Sequence, residues 1–151
     1  YWGSKGEVET IGFNKGGTVR LGDVAVTMVN ATHSSALEGK DGPVYAGHEA
    51  GYMIAAEGHV IYLSGDTDVM ADMALFQDLH APDIGILACG GHFTMDMRRA
   101  AYAASKFFEF KTVIPCHYKT FPLLEQSAQP LIDALPDAEV IEPEAMTPIK
   151  I

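Results

Sequence analysis

The stretch "AGYMIAAEGHVIYLSGDTDVMADMALFQDLH", Ala50–His80, changes its hydrophobic periodicity half-way along, and this change predicts the fold class. Its first half holds two apolar runs separated by a Glu-Gly pair at 57–58, which predicts two strands joined by a tight turn. After Asp66 the apolar residues recur close to helical spacing, which predicts a helix capped by Thr67 or Asp68. Paired strands followed directly by a helix are typical of a layered α/β fold.

The same alternation continues on both sides of this stretch. Upstream, Thr18–Leu21 and Val24–Asn30 predict a hairpin, and the segment Ser34–Gly47, rich in glycine and charge, predicts a loop. Downstream, strands predicted at "PDIGILACGG", "KTVIP" and "AEVIEP" alternate with helices predicted at "TMDMRRAAYAASKFFEF" and "EQSAQPLIDAL". No linker, repeat or low-complexity tract divides the 151 residues, so the sequence predicts a single α/β domain, 1–151.

Charge and cysteine content narrow the classes of function. The formal net charge is −10, and an acidic surface with no basic run disfavours binding to nucleic acid. Charges or glycines interrupt each apolar run, so no membrane span is predicted. Because nucleic acid and membrane are both disfavoured, the expected partner is a small-molecule substrate. Cys89 and Cys116 are too few for a disulfide framework, and free, buried thiols favour a reducing, cytoplasmic location.

Three side chains that can bind metal follow predicted strands, namely His33, Asp66 and His117. Strand ends are where α/β sheets build their sites. Imidazole together with carboxylate suits zinc, manganese or iron better than calcium, and two histidines with one carboxylate and an open position match a catalytic metal site. The three residues are remote in sequence, so the alternative interpretation gives each one a structural role of its own, in hydrogen bonds or a turn.

Polar residues beside these positions are candidates for contact with a substrate. His92 follows a Gly-Gly pair, where backbone N–H groups can approach a ligand closely. Tyr118 follows His117 directly, and Ser34 follows His33 directly. The alternatives are plain exposure for His92 and a packing or capping role for Tyr118 and Ser34.

The motifs "HSS", "YLSGDTDVMADM", "GGHFTMD" and "VIPCHYKTFP", in this order, resemble the metallo-β-lactamase superfamily. More narrowly, the chain from about Gly16 onward is similar to a family of cytosolic metal-dependent hydrolases that are neighbours of the ascorbate-phosphate lactonases. The resemblance implies the C-terminal portion of an αββα sandwich, with one or two divalent metal ions, zinc or alternatively manganese, along the edge between its sheets. It also implies that a metal-activated water cleaves an ester, lactone or phosphodiester-type bond.

The resemblance gives roles to the same three residues. His33 matches the histidine that completes the first metal site, and His117 matches the last histidine, on the second metal. Asp66 matches the carboxylate that bridges both metals, and its role would be catalytic because it draws the two cations together.

The chain departs from the family at one motif. These enzymes carry an upstream H-x-H-x-D-H motif that supplies most of the remaining ligands, and the 151 residues contain no such motif. His48, His59 and His80 lack the spacing to replace it. We therefore expect the C-terminal part of a longer enzyme, completed by a missing N-terminal half or a partner chain, with a homo-oligomer as a further option. The competing hypothesis is a catalytically silent module with an incomplete metal site.

Overall fold

The computed structural model describes Gly6 and residues 9–151. The sequence predicts the end of a helix and a strand within residues 1–17. Residues 1–5, 7 and 8 of that prediction lie outside the described residues. The described residues 9–17 contain a turn and no strand, so the predicted strand is wrong for that part.

Strands and helices alternate along the described residues, as the sequence predicts. The strands are β1 (Thr18–Leu21), β2 (Val24–Asn30), β3 (Ala36–Gly39), β4 (Gly42–Tyr45), β5 (Ala50–Ala56), β6 (His59–Leu63), β7 (Ile84–Ala88), β8 (Thr112–Cys116) and β9 (Glu139–Val140). The helices are α1 (Asp72–His80), α2 (Met97–Phe107) and α3 (Gln129–Ala134). Seven strands form one sheet in the order β1-β2-β5-β6-β7-β8-β9, and β3 pairs with β4 alone. The predicted α/β class is confirmed.

Both tight turns predicted from the sequence are present. β5 and β6 pair antiparallel around Glu57 and Gly58, whose φ angles of 53° and 84° match the left-handed turn that two-residue hairpins require. β1 and β2 pair antiparallel around Gly22, with a φ of 61°. These hairpins fix the antiparallel half of the sheet.

The loop predicted for Ser34–Gly47 is wrong in its central part. Ala36–Gly39 and Gly42–Tyr45 form an antiparallel hairpin. Most of its side chains are exposed, including the apolar Leu37 and Val44. A strand without a buried face shows no apolar alternation, so the sequence carries no period-two signal for it.

The first helix begins later than the sequence predicts. Its first residue is Asp72, and the side chains proposed as caps make other contacts. The hydroxyl oxygen of Thr67 accepts a hydrogen bond from the Thr32 N–H, and the Asp68 carboxylate accepts two from Arg99. Both predicted caps are therefore used to hold the loop that follows β6.

The second helix, Met97–Phe107, lies within the segment predicted as a helix. Asp96 is its N-cap and accepts a hydrogen bond from the Arg99 N–H at 2.7 Å. This helix has 11 residues, and none of the described helices has the length and apolar content that crossing a bilayer requires.

All three helices pack on the same face of the large sheet. One cluster of buried side chains joins residues of the helices to residues of β5, β6, β7 and β8; it includes Met53, Tyr62, Met73, Phe76, Leu87, Met97, Val113 and Leu131. Burial of this apolar surface is the main term that stabilises the layers.

Candidate metal centre

Strand direction brings four loops to one edge of the sheet. β2 and β6 both pair antiparallel with β5 and so run in the same direction, and β6, β7 and β8 are parallel to one another. Their carboxyl ends therefore share one edge. His33 follows β2, Asp66 follows β6, Gly90 follows β7 and His117 follows β8. Residues that are remote in sequence are thus placed at the same edge.

Hydrogen bonds fasten these loops in pairs. Thr67 is fully buried; its hydroxyl accepts from the Thr32 N–H at 2.9 Å and donates to the Asp68 carbonyl at 2.8 Å. The Asp68 N–H in turn donates to the Thr32 carbonyl at 3.1 Å. On the other side, the Glu125 N–H donates to the Gly90 carbonyl at 2.9 Å. Thr67, predicted from the sequence only as a helix cap, is a positioning residue, and the signal for this role is its place directly after Asp66.

His117 is the most constrained of the predicted ligands. Its Nε2 lies 3.6 Å from Oδ2 of Asp66, and its Nδ1 is buried without a hydrogen-bond partner among the described residues. Its φ is +58°, a conformation that costs an L residue about 1 kcal/mol or more. A strained backbone that presents an unpaired ring nitrogen is typical of a functional site.

A glycine makes room for this ring. A Cβ at position 90 would lie 2.8 Å from Nδ1 of His117 and closer still to the His117 carbonyl oxygen. Contacts under 3.0 Å are essentially never observed for Cβ atoms, so residue 90 has to be glycine for the imidazole to lie where it does.

The separation of His117 and Asp66 suits a shared cation. Zinc ligands at about 2.0–2.1 Å lie about 3.3–3.6 Å from one another across an open coordination angle. The observed separation of 3.6 Å falls at this distance, and a direct N–H···O bond would be shorter. Asp66 is exposed, with 46% of its side chain open to solvent. An imidazole and a carboxylate therefore fit a divalent cation at this edge.

His33 lies at the same edge with its ring engaged elsewhere. Nδ1 is 2.8 Å from the Ser34 carbonyl oxygen, and Nε2 is 2.9 Å from the Phe93 carbonyl oxygen. The bond to Ser34 is the largest influence on its pKa and raises it; burial lowers the pKa, and Phe93, Asp66 and Glu49 raise it further. Both ring nitrogens point at acceptors, so ligation by His33 requires its ring to leave at least one of them.

The structure thus brings two of the three predicted ligands into contact. His117 and Asp66 face each other, and His33 is close enough for the charge of Asp66 to raise its pKa. Within residues 9–151 no three His, Cys, Asp or Glu side chains converge as a complete metal cluster. The pair is therefore the part of the site that is already assembled.

The predicted substrate contacts take different positions. His92 is exposed, and its ring meets the Phe93 ring edge-on at 4.5 Å. Tyr118 is buried, and its hydroxyl donates to Oε2 of Glu142 at 2.8 Å; burial first and then Glu142 raise its pKa. Ser34 is exposed, and its carbonyl accepts from His33. Of these, His92 has the most freedom to meet a ligand.

The two cysteines differ in exposure. Cys89 is buried, whereas Cys116 is only partly buried, which corrects the prediction of two buried thiols. Burial first, and then the charge of Asp66, raises the pKa of Cys116 to about 11. The Cys116 thiol is therefore neutral at pH 7 and a poor nucleophile.

Comparison with known proteins agrees with this arrangement. Residues 2–118 match a family model described as a beta-lactamase superfamily domain. This chain belongs to the metallo-β-lactamase superfamily. It is 71% identical over its whole length to a metal-dependent hydrolase of Dinoroseobacter shibae, and 67% identical over 99% of its length to one of Paracoccus denitrificans. A solved structure of a metallo hydrolase from Ignicoccus hospitalis covers 93% of the chain at 30% identity and a TM-score of 0.77.

These relatives are longer than this chain. It spans 66% of the Dinoroseobacter relative, 65% of the Paracoccus relative and 60% of the Ignicoccus chain. The superfamily fold applies to the residues described above, and part of each of these relatives has no counterpart among the 151 residues.

Proposed function

We propose that this chain carries part of the metal centre of a metal-dependent hydrolase that cleaves an ester, lactone or phosphodiester-type bond. The observation that carries the proposal is the contact between His117 and Asp66, in which the ring faces a half-exposed carboxylate at the spacing of two ligands. The printed names of the relatives support it, since they describe metal-dependent hydrolases.

The proposed ligands are His33, Asp66 and His117, and the proposed cofactor is one or two divalent ions, zinc or alternatively manganese. A divalent cation bound there would lower the pKa of a water to about 7 and polarise the bond to be cleaved. Asp66 is the proposed catalytic residue, because its second oxygen is free of protein hydrogen bonds among the described residues and can face a second cation or the water. Thr67 holds the Asp66 loop against the His33 loop and so keeps the donors at one edge.

His33 is the adjustable member of this set. Its bond from Nδ1 to the Ser34 carbonyl is the kind of contact that orients a metal-binding imidazole. Its Nε2 would exchange the Phe93 carbonyl for the cation.

The competing hypothesis of a silent module draws on the absence of an H-x-H-x-D-H motif, but the names of the relatives favour the hydrolase.

The second face of the large sheet supports the proposal of a further layer. Val26 pairs with Ile54, Ile54 with Ile61, and Leu63 with Ile86, so one apolar stripe crosses the four strands β2, β5, β6 and β7. These side chains are half-buried, and the described helices all lie on the other face. A contiguous apolar surface of this kind is typical of an interface. Its proposed cover is a further segment of a longer protein or a partner chain, which includes a second copy.

The metal proposal is tested by titrating the metal-free chain with Zn²⁺ or Mn²⁺ against a chromophoric chelator. We expect His117→Ala and Asp66→Ala each to weaken zinc binding at least about tenfold, because each removes a ligand. His33→Ala is expected to weaken it less, since its ring must first leave the Phe93 carbonyl. His80→Ala is the matched control: His80 is at the end of α1, where burial lowers its pKa.

Two results would contradict the proposal. Unchanged zinc affinity in both His117→Ala and Asp66→Ala would remove the pair from the metal centre. Equal losses in the His80→Ala control would mean that the titration reports non-specific binding. Hydrolysis is measured in parallel on p-nitrophenyl acetate, a γ-lactone and bis-p-nitrophenyl phosphate, which separates the three bond classes.

A further inference from the structure

Two phenylalanine rings stand open to solvent at the edge that carries the candidate metal centre. Phe93 is 51% exposed and Phe121 is 42% exposed, and their ring centroids are 6.2 Å apart in a tilted arrangement. Tilted pairs at this distance attract each other, yet roughly half of each residue is left uncovered. Exposed aromatic groups beside a site are typical of ligand contact.

Both rings are carried by the loops that hold the candidate ligands. The carbonyl of Phe93 lies 2.9 Å from Nε2 of His33. Phe121 follows His117 by four residues, and its loop is tied to the neighbouring one where the Glu125 N–H donates to the Gly90 carbonyl. The ring of His92 meets Phe93 edge-on and extends the surface. The aromatic pair is therefore positioned relative to the metal centre by hydrogen-bonded backbone.

The cations nearest this edge are already neutralised. Arg99, beside the cleft that His33 lines, places both of its short contacts on the Asp68 carboxylate at 2.7 Å. Lys119, beside His117, bonds Oε2 of Glu142 at 2.6 Å. The whole chain has a net charge of −10. Apart from the proposed metal ion, a phosphate group would find few free side chains of opposite charge here, whereas a neutral ester needs none beyond that ion.

Resting on the proposed hydrolase function, we infer that Phe93 and Phe121 form the binding surface for the apolar part of the substrate, and that the substrate is a neutral ester or lactone with an aromatic or aliphatic group. The ring faces would cover that group, while the reacting carbonyl lies towards Asp66 and His117. An apolar group that covers these rings would strengthen substrate binding, because both the group and the rings lose apolar surface to water.

The inference is tested with the metal-loaded chain on p-nitrophenyl esters of acetate, butyrate, hexanoate and phenylacetate. We expect kcat/KM to rise about threefold for each added methylene. Phe93→Ala and Phe121→Ala should each abolish most of this rise. Phe93→Ala keeps the backbone carbonyl that contacts His33, so the metal centre is left intact.

The control variant is Tyr102→Ala. Tyr102 is a comparably exposed aromatic residue on α2, and its ring contacts Phe107 rather than the site. Its ester series should match that of the wild-type chain.

A second measurement does not depend on turnover: ethyl phenylacetate is added to the metal-free chain, and amide chemical shifts are followed by NMR. Shifts should concentrate at Phe93 and Phe121 and disappear in the double alanine variant.

The outcomes separate this inference from the function on which it rests. Shifts at the two rings without hydrolysis of any ester would support the apolar site and refute hydrolysis by this chain alone. Hydrolysis with an unchanged chain-length preference in both alanine variants would keep the hydrolase and overturn the inference. Faster cleavage of bis-p-nitrophenyl phosphate than of all the esters, or no shifts at the two rings, would also overturn it.

Discussion

Replacing Gly90 by alanine tests whether the close approach of the β7 loop to His117 shapes the metal centre. The added Cβ would lie 2.8 Å from Nδ1 of His117, where ordinary contact begins at 3.4 Å, and it would clash more severely with the His117 carbonyl oxygen. A rigid carbonyl at the end of β8 cannot turn aside as a flexible side chain can, so the backbone or the ring has to shift. Overpacking of this kind costs about 1–3 kcal/mol of folding free energy.

The same shift reaches the candidate ligand. Nε2 of His117 faces Asp66 at 3.6 Å, and displacement of the ring would separate the pair. Changes beside a ligand typically lower metal affinity about 10–100-fold. We therefore expect Gly90→Ala to lower the free energy of unfolding in urea by about 2 kcal/mol and to weaken zinc binding by at least about tenfold.

Gly12→Ala is the matched control. No atom lies within 4 Å of a Cβ built at Gly12, and its φ is not in the left-handed region, so the variant should stay within about 0.5 kcal/mol of the wild-type stability. Both quantities are measured on the same samples, by urea unfolding followed by circular dichroism and by chelator competition for zinc. A Gly90→Ala chain that loses stability but binds zinc like the wild type would refute the role of His117. Unchanged stability would refute the close approach itself.

Three further predictions concern residues with distinct environments. Tyr62→Phe should raise the free energy of unfolding by about 1 kcal/mol, because the Tyr62 hydroxyl is buried without a hydrogen-bond partner among the described residues; a loss of stability on thermal unfolding would contradict this. Burial would raise the pKa of Asp83, but the Val60 N–H and His59 outweigh it and lower the pKa, so its carboxylate stabilises the fold above about pH 4 and this stabilisation is lost as pH falls through the folded pKa. Asp83→Asn should therefore be less stable than the wild type by about 1 kcal/mol at pH 7, and the gap should close as pH falls through the folded pKa of Asp83; a pH-independent gap would contradict this. Asp68→Asn should lower stability by less than about 1 kcal/mol, since its pair with Arg99 is half exposed, and 0.5 M salt should shrink the effect.

Much of the secondary structure could be predicted because its signals are local. The turn at Glu57-Gly58, the helix that follows Asp96 and the buried strand before Cys116 each carry a pattern within a few residues. The hairpin over 36–45 carries no such pattern, because its strands bury neither face. The start of the first helix could not be predicted from local sequence either. Thr67 and Asp68 accept hydrogen bonds from Thr32 and Arg99, which are remote in sequence.

The sequence by itself determined the order of strands and helices, the acidic charge and the candidate side chains at three strand ends, since periodicity and residue type are written along the chain. Only the tertiary structure decided that His117 and Asp66 face each other at 3.6 Å and that His33 turns towards Phe93. The physical reason is strand direction. β2 and β6 both pair antiparallel with β5, so they run in the same direction and their carboxyl ends lie at one edge of the sheet. Which way each imidazole then turns depends on neighbours remote in sequence, such as Gly90, and no local pattern encodes them.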